Sequence, residues 1–430
     1  MISRKFYSAH AVKKSVIKSG RAVRKHLNID TLLALVRKEF QKIPDIRADN
    51  AKISLDDALM SALAMFVLKD PSLLAFDKRR REEPENLHTV FGIETIPCDS
   101  QMRTILDPLE LVFLRAAFCT VFREVQRGKD FQKMAYYDGH YLLSGDGTGY
   151  YSSTKVTSPY CLDKKCSNGV IQYYQQMYAA SFVCPDCKVV IPTFPEVITK
   201  QDGSTKNDCE RNAAKRYFEW FRREHPHLKV IVIEDGLSSN GPHIRDLQQH
   251  NLRFILGVKP GDHVALFAEL REAVAAGKAS EVVILDPKDR KKGYLFRFVN
   301  QVPLNKSNPD LLVNVLECMQ IDKHGNINTF SWVTDILITK ENVFKLMKAG
   351  RARWKIESVP QAHRTEVRLW TDRLWQSYTE DEGRSLEVGF QERASNHSKL
   401  LRLRAVGSER WSQSVEAVPR AGMKQRDERK

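Results

Sequence analysis

The chain is 430 residues long, enough for two or three domains, and its 42% hydrophobic fraction suffices to bury real cores. A net charge of +15 and a pI of about 9.3 favour a polyanionic partner. No apolar run approaches the ~18–20 residues that span a bilayer, and the basic N-terminus lacks the apolar stretch of a secretory signal, so the expectation is a cytoplasmic protein, not a membrane one, whose eight cysteines are reduced thiols.

Residues 1 to about 30 form a basic leader (Arg4, Lys5, Lys13, Lys14, Lys18, Arg21, Arg24, Lys25), with Asp30 the first acid. Such a run is either a solvated leader or an arm that neutralises DNA phosphates. From Ile29 to about Arg127 the pattern is helical. NIDTLLALVRKEFQKI repeats apolar residues at three- and four-residue spacing after Asp30, a good N-cap type. SLDDALMSALAMFVLK opens on Ser54 as cap, with Asp56 and Asp57 in the first turn, where carboxylates suit the helix dipole. PCDSQMRTILDPLELVFLRAAFCTVFREVQ predicts one or two more helices, capped by Asp99 or Ser100. Several short helices on a basic chain fit a helix-turn-helix-like DNA reader and a plain helical bundle alike.

Between Met134 and Lys200 the texture switches to strand: YYDGHYLL, GYYSST, VIQYYQQMYAASFV and VVIPTFPEVI are rich in β-branched and aromatic residues. KNDCERNAAKRYFEWFRREHP reads as a helix capped near Asn207 or Asp208 and closed by Pro226. KVIVIED is a short buried strand, IRDLQQHN a helix and RFILGVK another strand, an α/β alternation. Residues 280–340 are strand-rich again (EVVILD, GYLFRFVN, LLVNVLECMQI, TFSWVTDILIT). The stretch between Asp235 and Glu357 is too long for one connection in a compact domain, which predicts a β subdomain inserted there. ENVFKLMKAGRARWKIE then returns to helix and delivers Glu357.

Three segments carry acids that could work together. Asp146 sits in SGDGTG, where Gly145, Gly147 and Gly149 either admit a phosphate backbone or simply make turns. Asp235 follows VIVIE, a position for a ligand or a turn former, with Glu234 and Asp138 as competitors. Asp138-Gly139 reads as a hairpin turn. Arg353 and Glu357 lie four apart, so on a helix they share a face, as a surface ion pair or as part of a site.

In this order and spacing, DGTGYYSS, VIEDGLSSN and RWKIE resemble the DDE transposases of bacterial insertion sequences, from the branch whose third carboxylate lies in a Tyr-(2)-Arg-(3)-Glu-(6)-Lys signature. Arg353 and Glu357 match the Arg-(3)-Glu part and Arg364 falls in the Lys slot, whereas Gly350 occupies the Tyr slot, a departure. The resemblance runs from roughly Leu55 to Glu357. It implies an α/β fold: a ribonuclease-H-like catalytic core with an inserted β subdomain and a helical N-terminal DNA-binding region. The corresponding division is 1–130 for the leader and DNA-binding helices, 131–260 for the first part of the core, 261–338 for the β insertion, 339–357 for the helix with the third carboxylate, and 358–430 for a divergent, poorly ordered tail. The resemblance further implies that Asp146, Asp235 and Glu357 hold Mg²⁺ or Mn²⁺ for DNA cleavage and strand transfer. Arg353, with Lys355 and Arg351, would contact a DNA phosphate. The partners would be the inverted repeats of the element ends and target DNA, engaged by a homodimer in the bacterial nucleoid. Three carboxylates suit this chemistry because two cations ~3.5–4 Å apart bind the attacking and leaving oxygens of an in-line displacement, and hard oxygen ligands select Mg²⁺ or Mn²⁺.

Cys161/Cys166 and Cys184/Cys187 are two short pairs that read either as reduced thiols or as a candidate structural zinc site. His140, His225, His227, His243, His250 and His263 lack ligand spacing and read as surface residues. No Walker-type loop is present, which disfavours an ATP-driven helper. After Glu357 the pattern departs: Pro360 interrupts the helix the family continues, at ~3 kcal/mol, and the tail to Lys430 has poor periodicity, through divergence or a frameshift. Two alternatives stay open, a non-catalytic DNA-binding repressor derived from a transposase and a zinc-stabilised interaction protein.

Overall fold

The computed structural model describes residues 25–358 except 49, 156, 159–160, 201–206, 286–292, 322–323 and 325, and Glu357 and Ser358 by backbone alone. The basic leader up to residue 24 and the tail from 359, with Pro360 and Arg364, lie outside the described residues. The chain starts in helices: α1 (Ile29–Phe40), α2 (Leu55–Val67), α3 (Leu73–Glu82), α4 (Glu85–Thr89), α5 (Asp99–Leu106) and α6 (Arg115–Arg127). Asn28, not Asp30, caps α1, accepting the Thr31 N–H at 2.9 Å; a capping side chain reaches the amide three residues on, which leaves Asp30 inside the first turn. Ser54 caps α2 as expected. Cys98 holds the cap position of α5, where Gln101 Oε1 accepts its N–H at 3.0 Å, so Asp99 and Ser100 are already helical.

Asp138 and Gly139, both at positive φ, make the expected hairpin turn, with the His140 N–H donating to the Tyr137 carbonyl. The chain then enters the sheet: β1 (Tyr141–Ser153), β2 (Leu162–Lys165), β3 (Ile171–Val183), β4 (Ile191–Pro192) and β5 (Glu196–Ile198). Next come α7 (Glu210–Glu224), β6 (Val230–Glu234), α8 (Gly241–Gln249), β7 (Arg253–Gly257) and α9 (Val264–Ala275). The strands β8 (Ser280–Leu285), β9 (Gly293–Asn305), β10 (Asn308–Ile321) and β11 (Ile327–Thr334) follow. All join one mixed sheet in the order β2-β3-β1-β6-β7-β11-β10-β9-β8, with β4 and β5 also on β3. The first helical turn of α7 follows Cys209, one or two residues beyond the expected caps, because Asp208 is drawn to Asn212 and Arg216 instead.

β1 pairs antiparallel with β3 and parallel with β6, which pairs parallel with β7. Every residue of β6 is buried, as the VIVIE run predicts for a strand covered on both faces. The strands expected as an insertion continue the same sheet, since β11 pairs antiparallel with β7. One face is covered by α7 and α8, and its core runs on into the N-terminal helices; Phe122 of α6 stacks on Phe182 of β3 with centroids 5.2 Å apart. The other face is covered by α10 (Val343–Arg351), whose Leu346 and Met347 pack on Ile231, Ile233, Phe296 and Trp332.

The single helix expected to end at Glu357 is broken. α10 stops at Arg351, Ala352 and Arg353 form a turn, and α11 (Trp354–Ser358) follows. The N–H groups of Arg353, Lys355 and Ile356 each bond the carbonyl three residues back, so the backbone tightens to a 3₁₀-like path here.

Candidate active site

The parallel register of β1 and β6 decides what this sheet can do. Ser144 pairs with Ile233, so Asp146 and Asp235 each stand two residues further, at the same level on neighbouring strands. Strand side chains alternate between faces, which turns Ser144, Asp146, Ile233 and Asp235 towards the layer of α10 and α11. Both carboxylates are half-buried. Asp235 Oδ1 accepts the Leu237 N–H at 2.9 Å, so this carboxylate also shapes the turn after β6. On β1 the Ser144 hydroxyl approaches the Arg353 carbonyl at 3.4 Å, and Arg353 Nη1 lies 3.9 Å from Asp146 Oδ2. The backbone of α11 carries Glu357 one turn beyond Arg353.

The intervening glycines of β1 face the other way, towards α7. They make no turn; β1 runs straight through them. A Cβ on Gly145 would overlap the Tyr178 hydroxyl and come within 3.0 Å of Glu234 Oε1, and one on Gly147 would overlap the Glu210 carboxylate. Side-chain-free backbone is what lets these groups lie against the strand. Beneath the site, the Tyr178 hydroxyl and His243 Nε2 (2.6 Å) both hydrogen-bond Glu234, and all three residues are buried. His243 is thus a core residue, not the surface histidine expected, because burial of Glu234 demands a partner. Burial works against a charged imidazole, but the Glu234 carboxylate, with Asp246 and Glu210 behind it, outweighs burial and the net shift of His243 is upward. The Tyr178 hydroxyl is pushed well up, by burial and then by Glu234.

Glu210, in the first turn of α7, is the site residue that sequence reasoning missed. Its carboxyl is pushed up to about 7, first by burial and then by Asp146, Asp235 and Glu234, against the opposing bond from the Gly147 N–H. The sequence offered one signal: an acid opening a helix, which reads simply as a complement to the helix dipole. A cleft of about 310 Å³ opens beside it, lined by Glu210, Arg211, Leu237, Ser238 and His243 among others.

Of the three cations expected on a DNA phosphate, Arg353 is the one beside Asp146. Arg351 instead stacks its guanidinium on Phe330, 4.3 Å from the ring centre, and hydrogen-bonds Gln320. Lys355 donates to the carbonyls of Cys184, Pro185 (3.0 Å) and Cys187. At Gly350, the slot where the family pattern has Tyr, the indole of Trp332 fills the space a side chain would need.

The candidate zinc site of Cys161, Cys166, Cys184 and Cys187, the alternative to reduced thiols, is not assembled, because the two pairs stand at opposite ends of β3. Cys161 and Cys166 flank β2, whose Leu162 and Lys165 pair with Tyr174 and Ile171. The Cys166 N–H donates to the Val170 carbonyl at 2.9 Å, which fixes Cys166 beside the start of β3. Cys184 follows Val183 at the far end, and Cys187 lies in the turn beyond it. The strand from Tyr174 to Val183 is roughly 30 Å long at ~3.3 Å per residue, so one tetrahedral zinc cannot draw on both pairs. Among the described residues no group of three His, Cys, Asp or Glu side chains is close enough to hold a metal ion; the Glu357 side chain is outside that set. No helix among the described residues is long and apolar enough to cross a membrane. No protein-family model matches the chain, and no curated protein matches it.

Proposed function

We propose that the chain is a DDE-type transposase that cleaves DNA and transfers strands with divalent cations. The observation that carries this reading is the level register of Asp146 and Asp235 on adjacent parallel strands, facing the segment that bears Arg353 and Glu357. The surrounding topology supports a ribonuclease-H-like core: a long antiparallel pair, β1 and β3, continued by the parallel strands β6 and β7 with α8 between them.

The donor chemistry fits Mg²⁺ or Mn²⁺, since every candidate ligand is a carboxylate oxygen, and Glu210, raised first by burial, is raised further by Asp146, Asp235 and Glu234, a local gathering of negative charge. Asp146 and Asp235 would hold the cations, with Glu357 as the third ligand. Bound there, they supply Lewis-acid activation of a water or a 3′-hydroxyl at a phosphodiester. Arg353 neutralises Asp146 and stands ready to engage a phosphate as a forked donor. The Tyr178–Glu234–His243 cluster fixes the end of β6 and hence the direction of Asp235.

The test is Mg²⁺-dependent nicking of DNA bearing the element ends. Asp146→Ala, Asp235→Ala and Glu357→Ala should each abolish nicking while DNA binding survives. Nicking at the wild-type rate in any one of them removes that residue from the site.

A further inference from the structure

The three donors of the Lys355 ammonium meet three backbone carbonyls, those of Cys184, Pro185 and Cys187, in a turn closed by the Cys187 N–H on the Cys184 carbonyl. An ammonium carries three N–H groups and no more. In this arrangement all of them are engaged by protein. The same turn receives a second tie from α10, where Lys348 Nζ bonds Asp186 at 2.5 Å. A third contact, from the Tyr136 hydroxyl to the Lys345 carbonyl at 3.1 Å, holds the start of α10 from the same side.

These ties act on the segment where the helix is interrupted. α10 ends at Arg351, and the turn at Ala352–Arg353 directs α11 towards β1, where Ser144 reaches the Arg353 carbonyl. β3 starts the Cys184–Cys187 turn from Val183, which pairs with Leu142 of β1. Lys355 therefore spans from α11 to the strand beside the one that carries Asp146. We propose that Lys355 and the Cys184–Cys187 turn form a latch that seats α11 on the sheet, making Lys355 a positioning residue for Arg353 and Glu357 and not a DNA contact. Arginine is no substitute there, because a planar fork cannot point three donors at three convergent carbonyls.

The role in a reaction rests on the transposase reading, but the latch itself does not, and two measurements separate them. The first is hydrogen exchange of the full chain without DNA. Lys355→Met should speed exchange roughly tenfold or more in the segments 184–189 and 350–358, the loss of about one charge-assisted hydrogen bond or more, while β9 and β10 keep wild-type protection. The second is the salt dependence of DNA binding. The latch predicts an unchanged log–log slope for Lys355→Met, whereas a phosphate contact predicts a slope reduced by about 0.9. Unchanged exchange in both segments, or a reduced slope without faster exchange, overturns the proposal. If Lys355→Met fails to fold, Lys348→Met removes the neighbouring tie at a partly exposed site, and it should loosen the same two segments to a smaller degree; no change in either would overturn the proposal equally. Loss of DNA binding by the wild type would remove the transposase reading and leave the exchange test intact.

Discussion

Gly145→Ala is the substitution whose cost the site geometry defines best. The backbone there is ordinary strand, so alanine brings no conformational strain, only a methyl group. That methyl lands on the Tyr178 hydroxyl and within 3.0 Å of Glu234 Oε1, in a region where Tyr178 and Glu234 are almost fully buried. Tyr178 can yield only by giving up its bond to Glu234, a charge-assisted hydrogen bond worth about 1.5–3 kcal/mol. Overpacking adds about 1–3 kcal/mol, so the total should be about 2.5–6 kcal/mol. Tyr178→Phe alone loses the hydrogen bond and leaves a Glu234 oxygen without it, at about 1.5–3 kcal/mol. In the double variant the hydroxyl is already gone, though the ring carbon that bore it still stands 2.7 Å from the methyl; the hydrogen bond is lost only once, so the two costs should fall short of additivity by about 2 kcal/mol. Urea unfolding midpoints of the four proteins of this cycle provide the measurement. Costs that add to within about 0.5 kcal/mol would refute the claim that Gly145 exists to make room for the Tyr178 hydroxyl.

Two other sets of variants test the electrostatics. The folded carboxyl of Glu210 is raised to about 7 from 4.5, so the folded state takes up its proton more readily than the unfolded chain and wild-type stability falls as pH rises through that window. Glu210→Gln should therefore gain in melting temperature over wild type between pH 4.5 and 7, with the gain shrinking when Mg²⁺ is added; a difference flat with pH would refute the raised carboxyl. Asp107, pushed up to about 7 by burial with Arg103 opposing, lies far along the chain in the turn after α5. Asp107→Asn should show the same pH trend from about 4 upward but no response to Mg²⁺, and a Mg²⁺ response would break the distinction. Deleting residues 1–28 should lower the log–log salt slope of DNA binding by about 0.9 for each phosphate the leader neutralises, and an unchanged slope would show that the leader does not touch DNA.

Much of the scaffold was legible because local pattern and tertiary demand agree. The VIVIE run of β6, the Ser54 cap of α2 and the Asp138-Gly139 turn each follow from a short-range rule that the fold does not override. β1 was less legible. Its Gly-rich stretch from Gly145 to Gly149 has weak strand propensity, and only pairing with β3 and β6 holds it extended. Apolar periodicity carried the reading of one helix through to Glu357, but periodicity is blind to side chains such as Lys355 that pull a helix end towards a distant turn. Glu210 and His243 were invisible for a different reason. Their positions depend on which strands become neighbours, and nothing within a few residues of either one reports that. The cysteines show the limit of spacing alone: two short pairs left reduced thiols and a zinc site both open, and it is the length of β3 that separates Cys161 and Cys166 from Cys184 and Cys187.

The acids of the site are not all held by the same kind of partner, and the difference argues for a division of labour. Glu234 is answered by buried hydrogen bonds from Tyr178 and His243, Asp235 by the amide of Leu237, and Asp146 by the guanidinium of Arg353. Glu210 has the Gly147 amide, and its carboxyl responds to burial, and then to the neighbouring acids, by binding protons more tightly. Buried hydrogen bonds thus secure the acid that faces the core, whereas Asp146 and Asp235, turned to the other face, are only half-buried. Register is what maintains the division. A one-residue slip of β1 against β6 would send Asp146 to the α7 face and turn Gly145 and Gly147 towards α11. It would also drive Ser144, the residue that meets the Arg353 carbonyl, into the space that Tyr178 and Glu234 occupy. The buried Tyr178–Glu234–His243 cluster therefore does more than stabilise β6, because a glycine at position 145 is the only residue it tolerates, and that requirement locks Asp146 and Asp235 at one level.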